Sequence, residues 1–296
     1  MKTPTVSLLP AMRSADARLL LVDKKMRTLC ADPDFPDDIF LTCFDDHLSA
    51  GGGRTRAILS LNCSECLGLK LDDAIALAAS VELLHNASLI QDDLQDETTL
   101  RRGASTVWVK HGVNHAIGLT DLTIAAAFRA LSEVSDPTVV PKLIEHLFQS
   151  ISITVRGQAD DLDVGPVGVD RALSVARRKS GPLFALALRL PLCLAGRHEF
   201  LAKASQAAEA FGLGYQIYDD IVDAEEDRNG GSRNNIVLAL EADSSCTDAR
   251  KSACKLAGKY LETAASLARD LPSGSGGALA DLSAGVAHKL NALDDE

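Results

Sequence analysis

From Leu71 to Leu89 apolar side chains recur at helical spacing, Ile75, Ala78, Val81 and Leu84 among them, with Asp72, Asp73 and Glu82 between or beside them. The pattern predicts a long buried helix. The same period runs through His115–Ser135, Pro141–Leu162, Asp170–Leu190, Glu199–Val222, Asp248–Leu267 and Gly276–Leu293. Strand-like alternation is hard to find. The helical stretches are separated by ordinary punctuation: Gly51-Gly52-Gly53, Arg102-Gly103, Gly165-Pro166, Asn229-Gly230-Gly231 and Pro272 to Gly277. With no linker, low-complexity segment or repeat, the economical expectation is one all-α domain over residues 1–296, a helical bundle whose members are long enough to surround a central cavity.

Composition supports a sizeable core, because 46% of the 296 residues are hydrophobic. The net charge of -11 argues against sequence-independent nucleic-acid binding, which depends on phosphate neutralisation by Lys and Arg. Seven cysteines, an odd count, read as reduced buried thiols and place the chain in the cytoplasm. Met1 to Val22 carries Arg13, Asp16 and Arg18 where a secretory leader needs an unbroken apolar run. Pro182 to Gly196, the most apolar later stretch, is interrupted by Arg189 and Pro191 and is too short to span a bilayer, so no membrane span is expected.

Two acidic clusters interrupt this apolar background, DDLQD at 92 to 96 and DDIVD at 219 to 223. In each, the first and last aspartates (Asp92 and Asp96; Asp219 and Asp223) share one helical face, while Asp93 and Asp220 sit about 100° round it. Each cluster follows a mostly apolar turn, Ala87 to Ile90 and Leu213 to Tyr218, and so extends a core face rather than a solvated one. Carboxylates in such places repel unless cations join them. Magnesium takes hard oxygen ligands and bridges one or two carboxylates to substrate phosphate, so paired acidic helices suit a magnesium-diphosphate site.

Four segments in order, from about Gly51 to Asp227, resemble the trans-isoprenyl diphosphate synthase family. VELLHNASLIQDDLQDETTLRRG (Val81–Gly103) is similar to its first aspartate-rich motif with the trailing arginine pair, and YQIYDDIVD (Tyr215–Asp223) to its second. Between them, GQADDL (Gly157–Leu162) and RKSG (Arg178–Gly181) are similar to the family's GQxxDL and KTG segments. The resemblance implies an isoprenoid synthase fold and a prenyltransferase. An allylic prenyl diphosphate loses its diphosphate, the double bond of isopentenyl diphosphate attacks the cation, and a proton leaves. It also implies magnesium, three ions by family expectation, with Asp92, Asp96 and Asp219 as direct ligands and Asp93, Asp220 and Asp223 supporting them.

By the same resemblance Arg101 and Lys179 grip the allylic diphosphate, with Ser180 and Gln216 as polar neighbours. Arg56, His85 and Arg102 serve the isopentenyl diphosphate. His85 stands two turns before Asp92, on the same face. Two departures matter. The family's GGKRxR has lysine where this chain has Gly53, removing one charged contact to that second diphosphate. After the second cluster the family's GKxxGxD gives way to GGSRNNIVLAL, where Arg233 is the one cation. Ala87, five residues before Asp92, stands where short-product relatives carry an aromatic floor, which favours a C20 product over C15 or longer chains. Leu84 and the stretch around Ile124 and Phe128 could supply a deeper floor. Homodimerisation is expected from the family alone. A class I terpene cyclase and a noncatalytic partner subunit are the alternatives. Cys63-Ser64-Glu65-Cys66, without a second pair or nearby histidines, reads as thiols rather than a metal site, and the triple glycine lacks a phosphate loop's GK[ST] ending.

Overall fold

The computed structural model describes residues 16–35, 37–162, 168–230 and 235–294. The Gly165-Pro166 break and Arg233 lie outside them. The fold is all-α. It divides into two compact units, Met1–Glu145 and His146–Glu296, and the division falls inside one helix, α7 (Val140–Leu162).

The first unit holds α1 (Asp16–Cys30), α2 (Ile39–Ser49), α3 (Thr55–Cys66), α4 (Leu71–Gln95), α5 (Val107–His111) and α6 (Val113–Leu131). Its core is α4, which packs against α6, α3 and α1. Asp72 and Asp73 sit in the first turn of α4, where the helix dipole favours negative charge. Asp73, only 4% exposed, accepts hydrogen bonds from the Ser135 backbone N–H at 2.6 Å and hydroxyl at 2.8 Å, which ties that end of α4 to the segment after α6. Halfway along, the Ser80 hydroxyl donates to the Ala127 carbonyl of α6 at 2.8 Å. Among the described residues α4 alone is long and apolar enough to cross a membrane, and 83% of its apolar window is buried inside the protein.

The helix runs on past the expected Leu89 to Gln95, so most of DDLQD is helical and Asp96 closes it with an N–H to the Asp92 carbonyl at 2.8 Å. A two-stranded antiparallel hairpin follows, β1 (Leu100–Arg101) and β2 (Ala104–Ser105), with Arg101 opposite Ala104. Its turn, Arg102-Gly103, has positive φ at both residues, 53° and 83°, the mirror-image geometry that matches strand twist.

The second unit holds most of α7, then α8 (Val169–Leu194), α9 (Leu201–Val222), α10 (Ala224–Gly230), α11 (Ile236–Glu241), α12 (Ala249–Arg269) and α13 (Gly277–Asp294). α9 packs on α8 and α12, and Phe184 of α8 meets Phe211 of α9 edge-on at 4.9 Å. Next to that pair the two backbones nearly touch. A Cβ on Gly212 would lie 3.1 Å from the Gly181 Cα, so glycine at this point lets α8 and α9 approach. A Cβ on Gly157 of α7 would meet the Arg178 backbone at 2.7 Å.

Each of the seven periodic stretches forms a helix, with ends shifted by a few residues except at α4. Cysteine placement differs in part: Cys30, Cys43, Cys63, Cys193 and Cys254 are buried, but Cys66, in the last turn of α3, is exposed and Cys246 is half-buried. No disulfide joins any of the seven.

Candidate functional site

The first unit gathers arginines around the glycine loop that precedes α3. Arg54, the residue before α3, adopts a left-handed backbone with φ 48°, and its Nε donates to Asp23 Oδ1 of α1 at 3.0 Å. Arg102, left-handed at the hairpin turn, donates from Nη1 to the Gly51 carbonyl. Bulky residues seldom take this conformation, and such strain concentrates where side chains must be aimed. A Cβ on Gly52 would lie 2.6 Å from Nη1 of Arg102 and 3.0 Å from Nη1 of Arg54, so the two guanidiniums flank that glycine. Burial and the charges of Arg101 and Arg54 hold the Arg102 pKa below its ordinary value. An anion would relieve this crowding of positive charge.

Arg56 lies in the first turn of α3, its Nη1 3.1 Å from Nε2 of His85 on α4. Burial, then Arg56, pushes the His85 imidazole well below its usual range. A neutral ring facing an obligate donor accepts at Nε2, which puts its own proton on Nδ1. Beneath this pair, His47 Nε2 lies 3.0 Å from Asn86 Oδ1, and Asn86 Nδ2 donates to the Glu82 carbonyl at 2.7 Å. Burial pushes His47 down to about 4.

The aspartates of DDLQD part company as their angular spacing requires. Asp92 is half-buried and Asp96 exposed at the end of α4. Asp93 is turned inward, 1% exposed, and paired with Arg101 from the hairpin, Nη2 to Oδ1 at 2.7 Å. Gly53 is exposed in the loop.

In the second unit the close approach at Gly181 and Gly212 sets a relay. The Ser180 hydroxyl donates to Gln216 Oε1 at 3.1 Å, and Gln216 Nε2 donates to Asp220 Oδ1 at 3.0 Å. Asp220 is 5% exposed, and its other oxygen accepts from the Ile236 N–H at 2.9 Å. Asn235 completes the clamp. Its Nδ2 donates to the Asp220 carbonyl and to Asp227 Oδ2, both at 2.8 Å, while its Oδ1 caps α11. Lys179 pairs with Asp161 of α7 at 2.7 Å.

Negative charge is crowded here. Asp219 is pushed up to about 8 by burial, then by Asp223 and Asp220. Burial, helped by Asp227 and Asp161 and opposed by the Gln216 and Ile236 hydrogen bonds, raises Asp220 to about 6. Burial, Asp227 and Glu226 raise Asp223. Among the described residues no three His, Cys, Asp or Glu side chains converge tightly enough to cage an ion unaided. Magnesium keeps several waters and takes one or two carboxylates plus phosphate oxygens, so crowded oxygen donors short of a full cage fit it in that mode.

Several residues of these arrays were not singled out from sequence, Asp23, His47, Asn86 and Asp227 among them. Arg54 lies in GGGRTR (Gly51–Arg56), where the family has GGKRxR, and Glu82 and Asp161 lie inside the Val81–Gly103 and GQADDL segments, so the signal for them was present. Asn235 carried none, because it falls where the chain departs from the family's GKxxGxD.

An all-helical chain with carboxylates crowded at the end of one helix, an aspartate cluster closing another and an arginine pocket nearby along the latter defines a protein built to handle anions and cations together. The chain belongs to the polyprenyl synthetase family, whose profile matches residues 37–234. It is 32% identical over 212 residues to the geranylgeranyl pyrophosphate synthase of Geoglobus acetivorans, covering 70% of this chain and 66% of that protein, just short of two thirds. It is 34% identical over 244 residues to the farnesyl diphosphate synthase of Escherichia coli, 73% of this chain and 82% of that one. Among solved structures, the geranylgeranyl pyrophosphate synthetase of Geoglobus acetivorans superposes with a TM-score of 0.81 at 25% identity over 92% of this chain and 98% of that chain.

Proposed function

We propose that this chain condenses isopentenyl diphosphate with an allylic prenyl diphosphate, releasing diphosphate and giving a longer trans-prenyl diphosphate of C15 to C20, with C20 favoured. The names of its relatives, geranylgeranyl and farnesyl diphosphate synthases, support that range. The observation that carries the reading is the crowding of Asp219, Asp220 and Asp223, whose carboxyls are held above their ordinary range by burial and by the acidic side chains around them. Residues 1–296 would act as one isoprenoid synthase domain, and the fold match over 92% of the chain supports this.

In this reading Asp92, Asp96 and Asp219 hold magnesium, three ions in all, while Asp93, Asp220 and Asp223 orient the site from behind. Bound magnesium supplies Lewis-acid neutralisation of charge on the departing diphosphate. Arg101 and Lys179 grip the allylic diphosphate, and Ser180 and Gln216 fix Asp220. Arg56, His85 and Arg102 hold the isopentenyl diphosphate, where planar guanidiniums fork onto phosphate oxygens. No protein nucleophile is required, because the carbon–oxygen bond breaks to give a cation that the neighbouring double bond captures before a proton is lost. Water must be kept out until then. A homodimer and a cytoplasmic location complete the proposal, and the odd count of seven cysteines fits a reducing compartment.

The arginine pocket favours a synthase over a terpene cyclase, which adds no isopentenyl unit. A noncatalytic partner subunit would not need both aspartate clusters. Purified protein with magnesium, isopentenyl diphosphate and a C5, C10 or C15 allylic diphosphate should release diphosphate and yield elongated product by chromatography. Asp92→Ala and Asp219→Ala should each lower turnover by about 100-fold or more with helicity by circular dichroism unchanged. Cyclic hydrocarbon made without isopentenyl diphosphate, or near-normal turnover in both variants, would overturn the reading.

A further inference from the structure

We propose that Glu82 is a positioning residue for the second diphosphate: from the middle of α4 it caps α3 and so fixes Arg54 and Arg56 relative to His85. The inference rests on the reading of Arg56, His85 and Arg102 as the isopentenyl diphosphate site.

α3 starts without a cap of its own. The residue before it, Arg54, makes no side-chain capping bond, yet the first backbone N–H groups of a helix need acceptors. Glu82 Oε2 supplies one from another helix, accepting from the Ala57 N–H at 3.1 Å. Ala57 follows Arg56 directly, so this bond holds the backbone that carries both arginines. Glu82 and His85 are three residues apart and therefore neighbours on one face of α4. The first holds the GGGRTR segment by its backbone and the second meets the Arg56 guanidinium at 3.1 Å. Two points of attachment define the direction of Arg56, where one would leave it free to swing.

The side chain is 2% exposed, and burying a carboxyl is costly without compensation. Burial raises its pKa, while the Arg54 and Arg56 charges and the Ala57 N–H pull it back. A glutamine could make the same backbone bond but would lack the carboxyl's attraction to the arginines and to the positive end of α3.

The test is steady-state kinetics of Glu82→Ala and Glu82→Gln, with calorimetric titration of isopentenyl diphosphate into each. Glu82→Ala should raise KM for isopentenyl diphosphate about 10- to 100-fold, the equivalent of one lost charge-assisted contact, with KM for the allylic substrate within about twofold. Glu82→Gln, which keeps the acceptor for Ala57 and loses the charge, should raise it about threefold and keep a melting temperature near that of wild type. If Glu82→Ala fails to fold, the glutamine variant decides. Equal rises in both KM values, or no rise in either, would show a merely structural residue and overturn the proposal. If wild type binds isopentenyl diphosphate and both variants bind it equally well, only this proposal falls. If wild type does not bind it, the reading of the arginine pocket falls too.

Discussion

Arg101 grips Asp93 through both carboxylate oxygens, its Nε 2.9 Å from Oδ1 and from Oδ2. The middle aspartate of DDLQD is thus the inward counter-ion of an arginine eight residues on, at the start of the hairpin, and one pair links the end of α4 to β1. An arginine fixed in this way can present its outer edge to an anion without searching for a rotamer.

Asp93→Asn should therefore do two things. It should lower the free energy of unfolding by about 1–3 kcal/mol, since Asp93 is buried while Arg101 stays partly exposed. It should also raise KM for the allylic diphosphate more than for isopentenyl diphosphate. Urea unfolding and steady-state kinetics measure both, and a variant unchanged in stability and in both constants would show the pair to be idle.

The second aspartate cluster predicts how stability and metal binding depend on pH. Asp219 and Asp220 titrate near 8 and near 6 in the folded protein, above the ordinary 3.8 of an unfolded chain. The folded state accordingly holds extra protons. The stability that these groups contribute is whole below about pH 4 and is lost as the pH rises through 6 and 8. Metal-free protein should melt at progressively lower temperature over that range, and magnesium should restore it while expelling about one proton at pH 7. Melting curves with magnesium or a chelator, and calorimetry in buffers of different ionisation enthalpy, test this. A melting temperature flat from pH 5 to 8 without metal would sink it.

Two glycines of the loop before α3, Gly52 and Gly53, should respond oppositely to substitution. Gly53 is exposed, and Gly53→Lys should tighten isopentenyl diphosphate about tenfold by adding a charged contact. Gly52 lies against the Arg102 and Arg54 guanidiniums, so Gly52→Ala should push them aside and weaken the same ligand. Titration of isopentenyl diphosphate separates the two outcomes, and weaker binding by Gly53→Lys would count against the mapping of this loop.

Product length should follow the size of residue 87. Ala87 is 2% exposed on α4, five residues before Asp92. Ala87→Phe should shorten the main product by at least one five-carbon unit, read by chromatography of the dephosphorylated alcohols. An unchanged product with normal turnover would place the floor elsewhere, for example nearer Leu84.

Much of this was legible in the sequence because the long helices announce themselves by period, and because a 0, 1, 4 spacing sets the middle aspartate of each cluster apart from the other two. Which of them turns inward came from the packing: Asp93 and Asp220 are buried at 1% and 5% exposure. The shorter elements were harder to read. α3 mixes polar and apolar residues on its buried sides and has a charged residue where a cap belongs, and α11 is only six residues long, started by Asn235. Contacts between distant segments could not be read from spacing at all. Nothing in the chain announces that Glu82 caps α3 or that Asn235 clamps Asp220 and Asp227, because these depend on which helices pack together. The hairpin at Leu100–Ser105 was reduced to its Arg102-Gly103 turn, since strands of two residues leave no alternation to detect.

α4 carries Glu82, His85, Asp92 and Asp93 on one unbroken 25-residue rod. The distance from His85 to the acidic tip is therefore a matter of helical pitch and cannot be adjusted by loop movement. One residue inserted between His85 and Asp92 would advance the tip by about 1.5 Å and rotate it by about 100°. A gauge machined to that tolerance accepts changes of side chain far more readily than changes of length.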